Sequence, residues 1–228
     1  CLGLNREISR EGMVQSVRQG TLGSVFFVED LSNHLAEMKA SVMTLFPAKK
    51  GQFFFGLLAQ ISYEPILKCD FGLLLQLPSP TEILIVGGLK VSLPKLDKII
   101  RINVFFAGGI RFEEGMWFDA ALVDSQIVGL TLEGEMAFRL NWGGPNKGFL
   151  LSVGGFYSAY KPEPSLMLSN MKRMAVKLDY KIVRMSLESY LAITSNTFQI
   201  GARLDINVGW KRFGLHGYAG FDALFQFD

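Results

Sequence analysis

The sequence predicts an all-β protein with a mainly antiparallel, strongly curved sheet or barrel of about eleven strands and one amphipathic helix near the N-terminus. The clearest observation is the stretch 197–210, in which apolar side chains alternate with polar or small ones. Period two over this length is typical of a β-strand with one dry face and one wet face. The apolar register consists of Phe198, Ile200, Ala202, Leu204, Ile206, Val208 and Trp210.

Two further observations concern how such strands are joined and bent. Most of the apolar runs after residue 50 are separated by short turns, which favour antiparallel neighbours. A pair of glycines followed by an apolar residue occurs three times, at 86–89, 107–110 and 153–156. Because glycine inside a strand serves coiling, bulges or close approach of another element, these pairs predict strong curvature.

The first 50 residues form an irregular N-terminal segment that contains the one predicted helix. Residues 1–23 predict no regular structure beyond a short strand near residues 13–17. Over 25–46 the apolar residues recur in steps of three and four, which predicts an amphipathic helix with Asp30 as its N-cap. We expect this helix to pack on the sheet, since its polar face is not rich in lysine as surface-binding helices tend to be.

Residues 51–228 predict one curved antiparallel sheet. The chain begins without a methionine and stops within a strand-like run, so we expect it to be a fragment of a larger chain. The predicted strands span 52–63, 66–77, 82–93, 99–112, 116–123, 127–140, 149–160, 176–183, 185–194, 197–210 and 213–227.

Composition excludes some classes of function. The 23 basic and 21 acidic residues give a net charge of +2, which does not indicate nucleic acid as a partner. The two cysteines, Cys1 and Cys69, set no disulfide framework, and Cys69 lies on an apolar register, where we expect a buried free thiol. Neither a signal peptide nor a transmembrane helix is visible, and the sequence does not indicate in which cellular compartment the protein lies.

No arrangement of residues predicts catalysis, a metal site or a cofactor. The two histidines, His34 and His216, share no motif with other metal ligands. The sequence has no nucleophile elbow, phosphate-binding loop or Cys-x-x-Cys motif, and no helix is predicted after the glycine pairs.

Acidic residues on one face of a predicted strand are candidates for acid–base chemistry. Glu133 and Glu135 lie two positions apart, and paired carboxylates hydrolyse glycosides. Because Thr131 and an arginine share their register, we interpret this register as a solvated face. Arg203 and Asp205 are predicted to form a similar same-face ion pair that contributes little to stability.

Three segments carry a resemblance to a known family: 148–156 (GFLLSVGGF), 190–203 (YLAITSNTFQIGAR) and 220–224 (GFDAL). Together they resemble large uncharacterised β-rich microbial proteins, the domain-of-unknown-function family 6603. The resemblance covers most of the chain and is strongest from residue 130 onward. It implies an internal part of a longer chain and a large assembly or scaffold. No catalytic residue follows from it, because the family has no known activity.

The favoured hypothesis is a non-enzymatic structural or binding module of a larger protein or assembly. Its partners would be the rest of that chain or assembly, with an apolar ligand such as a lipid acyl chain held on the dry face. An outer-membrane β-barrel and an enzyme with an unrecognised site are the alternatives. The candidate dry-face residues are Phe198, Ile200, Leu204, Ile206, Val128, Leu130, Leu132 and Phe138.

Overall fold

The computed structural model of the protein describes residues 1–26, 39–78, 81–93, 100–144, 147–210 and 213–227. These residues form one antiparallel sheet of twelve strands, strongly curved into a ring-like shape, together with short helical segments near the N-terminus. This confirms the predicted all-β, antiparallel and strongly curved architecture. Within the described residues, no helix is long and apolar enough to cross a membrane.

The strands agree closely with the apolar runs in the sequence, and the predicted strand 197–210 has the bounds of the observed strand Thr197–Trp210. The predicted strand 149–160 is shorter, since the chain leaves the sheet after residue 153. In chain order the elements are β1 (Leu2–Arg6), α1 (Arg10–Gln19), α2 (Gly23–Phe26), β2 (Ala48–Tyr63), β3 (Leu67–Leu77), β4 (Glu82–Ser92), β5 (Ile100–Arg111), β6 (Gly115–Ile127), β7 (Leu130–Asn141), β8 (Gly148–Val153), β9 (Met174–Tyr180), β10 (Val183–Thr194), β11 (Thr197–Trp210) and β12 (Phe213–Gln226).

Consecutive strands are neighbours around the sheet, with one exception at β8 and β9. Both strands lie between β7 and β10: β8 pairs with one end of each, and β9 pairs with the other end of each. The two strands therefore share one position. The intervening residues 154–173, which we call the 154–173 loop, contain a 3₁₀ turn at Pro164–Leu166.

Helix α1 replaces the irregular structure and short strand predicted near residues 13–17, so that prediction was wrong. Ser9 caps the helix by accepting a hydrogen bond from the Gly12 amide, and Gly20 ends it in the left-handed conformation at φ 72°. Met13 and Val17 are fully buried against the sheet. Helix formation satisfies the backbone while placing these side chains on one face.

The predicted helix 25–46 is described only in part. Residues 39–45 are helical, and Leu45 is buried in the core as expected for a helix packed on the sheet. Residues 27–38, including the predicted cap Asp30, lie outside the described residues. Short helix α2 precedes that gap. Strand β1 was not predicted.

The sheet has two faces with different roles. We call the side that contacts α1 and the 154–173 loop the inner face, and the opposite side the outer face. One core cluster on the inner face joins α1 to β2–β6, and a second joins the 154–173 loop to β7, β8 and β10. Cys69 is a free thiol on the outer face, half-buried, and its burial raises its pKa.

Candidate functional site

Strand β11 shows how the two registers of the sequence are placed. Its polar register faces inward: Thr197, Gln199 and Gly201 are buried. The Gln199 side chain donates to the Thr197 hydroxyl and accepts from the Tyr157 amide, so its polar atoms are paired inside the protein. The apolar register therefore forms the outer face, and the predicted dry face is the outside of the curved sheet.

The candidate dry-face residues lie on this outer face without converging on one pocket. Four of them follow β11 and three follow β7, and β8, β9 and β10 lie between these two strands. Val128 stands apart in the β6–β7 turn, with φ 51° and 68% of its surface exposed. The seven strand residues are Phe198, Ile200, Leu204, Ile206, Leu130, Leu132 and Phe138.

Aromatic contacts link neighbouring strands across the outer face. The rings of Phe106 and Phe118 join β5 to β6 with centroids 6.1 Å apart. Phe138 meets the ring of Phe149 edge-on at 5.7 Å, which joins β7 to β8. Offset and edge-to-face pairs of this kind stabilise cross-strand packing. The outer side chains thus form a broad surface rather than a groove.

Much of this surface is open to solvent at the two ends of the sheet. On β12, Leu215 is 73% exposed and Phe221 is 57% exposed. On β2, Phe55, Leu57 and Ile61 are exposed in the same register. Monomeric soluble proteins rarely expose contiguous apolar areas beyond a few hundred Å², and larger ones mark interaction sites. The outer face is therefore the candidate functional surface.

The inner face carries buried charges that the sequence did not predict. Arg139 on β7 is only 1% exposed and forms a 2.7 Å ion pair with Asp119 on β6. It also donates to the backbone carbonyls of Phe118, Phe138 and Leu166. These bonds satisfy the guanidinium and tie the 154–173 loop to the sheet.

A second buried carboxylate lies two strands away from Asp119. Glu82 on β4 accepts from the Trp117 indole at 3.0 Å and from Arg111 at 2.9 Å. The Arg10 guanidinium from α1 lies over the Trp117 ring at 5.1 Å. Burial, with the charge of Arg139, lowers the pKa of Arg10 to about 10.

The pair Glu133 and Glu135 is not the solvated face that the sequence predicted. Glu135 is buried, with the Arg18 guanidinium from α1 at 3.3 Å, whereas Glu133 pairs with Lys177 on β9. Burial raises the pKa of Glu135, and Arg18 opposes this shift. Each carboxylate has its own cation, so the two do not share one reacting centre.

Burial also raises the pKa of the Asp119 carboxyl, against the opposing charge of Arg139. The predicted pair of Arg203 and Asp205 is confirmed, with two hydrogen bonds of 2.6 and 3.0 Å on the inner face of β11. His216 on β12 approaches Asp205 at 3.7 Å. In the part of the chain that the structure describes, His, Cys, Asp and Glu side chains form no group of three suited to a metal ion.

The sequence contained one signal for this inner cluster. Glu135 and Arg139 lie in the polar register of β7, whereas Glu82 and Asp119 are single acidic residues in registers that also hold Leu84, Val86, Trp117 and Ala121. The sequence shows that the two registers differ, but which of them faces inward becomes clear only when the curvature of the sheet is known. The partners lie on different strands and on α1, so spacing along the chain does not reveal them.

The model of one protein family, described as a family of unknown function (DUF6603), matches residues 1–228, the full length of the chain. No curated protein and no solved structure matches this chain.

Proposed function

We propose, from the premise that this chain belongs to the DUF6603 family, that it is a non-enzymatic structural module whose outer face packs against another protein layer of a larger assembly. The observation that carries this proposal is the apolar outer register, which extends across the sheet from β2 to β12. The buried carboxylates Glu82, Asp119 and Glu135 are each paired with an arginine of the molecule, which supports a structural role for them rather than a catalytic one.

The edges of the sheet favour a protein layer over a lipid bilayer. Among the described residues, β12 pairs only with β11, and the part of β2 beyond residue 56 pairs only with β3. Each edge presents unpaired backbone N–H and C=O groups. In the hydrocarbon core of a bilayer, each backbone N–H or C=O group without a hydrogen-bond partner costs on the order of several kcal/mol. A partner protein offers hydrogen bonds to these edges as well as an apolar surface.

One observation favours an outer-membrane location as the second candidate. Apolar side chains outside and paired charges inside are the arrangement of proteins that cross the outer membrane with strands. This candidate requires the two open edges to be paired in the membrane, by each other or by further strands. The acyl-chain hypothesis for the outer face has less support, because the aromatic contacts fill the space between strands.

Site-specific photo-crosslinking in the parent protein distinguishes these candidates. A benzophenone amino acid replaces Phe221 on the outer face of β12, and in a matched control it replaces Tyr218, which is exposed on the inner side of the same strand. We expect the Phe221 probe to form one defined polypeptide adduct in intact cells and the Tyr218 probe to form none. A lipid adduct at Phe221 would support the outer membrane, and equal adducts at both positions would refute a specific interface.

A further inference from the structure

A cavity of about 450 Å³ lies between β1, β2 and the helical residues of the N-terminal segment. This volume is within the range of roughly 300–1,000 Å³ in which protein pockets hold small molecules. The cavity is on the inner side of the sheet, away from the outer face. Its lining comes from α1, from residues 25 and 42–46, and from β1–β4.

The lining is almost entirely apolar and has a closed and an open side. Met13, Leu74 and Val86 are buried and form its floor, whereas Met43 and Leu58 are exposed and border its mouth. Methionine side chains at both levels adapt readily to the shape of an apolar ligand. The stacked rings of Phe46 and Phe54, with centroids 4.6 Å apart, line the cavity as well.

Among the described residues that line the cavity, Arg6 is the one with a charged side chain. Its guanidinium donates to the Phe46 carbonyl at 3.0 Å, and within the described residues it has no carboxylate partner. A guanidinium has five N–H donors in a planar fork that suits a carboxylate. The cavity thus combines a deep apolar space with a cation whose charge is not neutralised by a described residue.

We infer that this cavity binds a single-chain amphiphile with an anionic headgroup, of which a long-chain fatty carboxylate is the simplest form. The alkyl chain lies on the floor formed by Met13, Leu74 and Val86, and the carboxylate pairs with Arg6. The burial of apolar surface supplies most of the affinity, and the arginine selects for the charged headgroup. This site goes beyond the proposed role of the outer face and does not depend on it.

The test is titration of the purified chain with palmitate, followed by calorimetry. We expect saturable binding of one palmitate per chain. Leu58→Trp places a larger side chain at the mouth, and we expect it to weaken binding at least about tenfold, which is the effect of a lost 1.4 kcal/mol. Leu215→Trp makes the same change at an exposed leucine on the outer face and should leave palmitate binding unchanged.

The role of Arg6 is tested by comparing palmitate with hexadecanol, which has the same chain and no charge. Arg6→Gln should weaken palmitate binding by about tenfold, the factor expected when a hydrogen bond to a charged group is lost. Binding of hexadecanol should not change, and Arg6→Lys should restore part of the palmitate affinity. Near-ultraviolet circular dichroism checks that each variant keeps the native packing.

Three outcomes would overturn the inference. The first is the absence of saturable palmitate binding by the native chain. The second is an equal loss in Leu58→Trp and Leu215→Trp, which would move the alkyl chain to the outer face. The third is that the chain floats with phosphatidylglycerol vesicles but does not bind free palmitate, and that flotation requires both Arg6 and Leu58. The mouth of the cavity would then be a contact with a lipid bilayer. None of these readouts uses the Phe221 cross-link, so the two proposals fail separately.

Discussion

Removing Arg139 is expected to destabilise the protein more than any exposed charge substitution. In Arg139→Met the side chain keeps an apolar volume but loses its charge and all its donors. Asp119 then stays buried, and its nearest remaining cation is the Arg18 guanidinium at 3.9 Å, which is beyond hydrogen-bond distance. The Phe118 and Leu166 carbonyls also lose their partner.

Breaking a buried ion pair by removing one member costs roughly 3–5 kcal/mol, because the other charge is left without compensation. Proteins have total stabilities of about 5–15 kcal/mol, so this is a large fraction of the whole. With a urea dependence of about 2–3 kcal/mol per molar, the unfolding midpoint should fall by about 1–2 M. The loss acts on the junction of β6, β7 and the 154–173 loop.

Urea unfolding followed by tryptophan fluorescence measures this change. The matched control is Arg184→Met, which makes the same substitution on β10 in an ion pair that is mostly exposed to solvent. Exposed pairs contribute only about 0–1 kcal/mol, so the control midpoint should move little. Asp119→Leu combined with Arg139→Met should recover much of the lost stability, because no charge then remains buried alone. Equal midpoints for the Arg139 and Arg184 variants would refute the reasoning.

Three further predictions concern pH, backbone conformation and capping. Since burial raises the pKa of Glu135 in the folded state, the native protein binds this proton more tightly than the unfolded chain does, and stability falls as pH rises above the unfolded pKa of about 4.3. Glu135→Gln should remove this loss of stability with pH, so the unfolding temperature of the variant relative to that of the native protein should rise between about pH 4 and 7. A difference in unfolding temperature that stays constant with pH would contradict this. Gly154→Ala should destabilise more than Gly129→Ala in urea unfolding, because both glycines have positive φ but the added carbon at Gly154 would collide with the Ser189 backbone oxygen; equal losses would show that strain alone matters. Ser9→Ala should lower the free energy of unfolding by about 0.5–2 kcal/mol through loss of the α1 cap, and an unchanged midpoint would exclude that role.

The strands could be predicted because their signal is local. Alternation along β11 and the glycines and prolines between strands determine where pairing begins and ends. Strand β1 is short and lies at the edge of the sheet, and its two leucines form too short an alternating pattern to predict a strand. Helix α1 was missed because small or polar residues such as Gly12 and Ser16 lie buried beside Met13 and Val17. A helix face on which small side chains let the backbone come close to the sheet has little hydrophobic periodicity in the sequence.

The assignment of the two faces could not be predicted from the sequence. Alternation shows that two registers differ, but it does not show which one the curved sheet encloses. The answer depends on the Arg139–Asp119 pair between β7 and β6 and on the Arg18–Glu135 pair between α1 and β7. The second of these pairs joins elements that lie far apart in the chain. The cavity beside Arg6 depends likewise on β1, α1 and residues 42–46 meeting at one end of the sheet.

The contact between α1 and the 154–173 loop has a consequence for synthesis. Arg18 donates to the carbonyls of Met167 and Ser169, which lie 149 and 151 residues later. At about 5–20 residues per second, a ribosome adds that length in roughly 8–30 s. Throughout this interval Arg18 lacks these two acceptors, while strands β2–β8 emerge and β2–β6 supply the core that packs against α1. The strands that cover the apolar face of α1 are therefore synthesised before the 154–173 loop, and the contact between α1 and that loop is the later of the two to form.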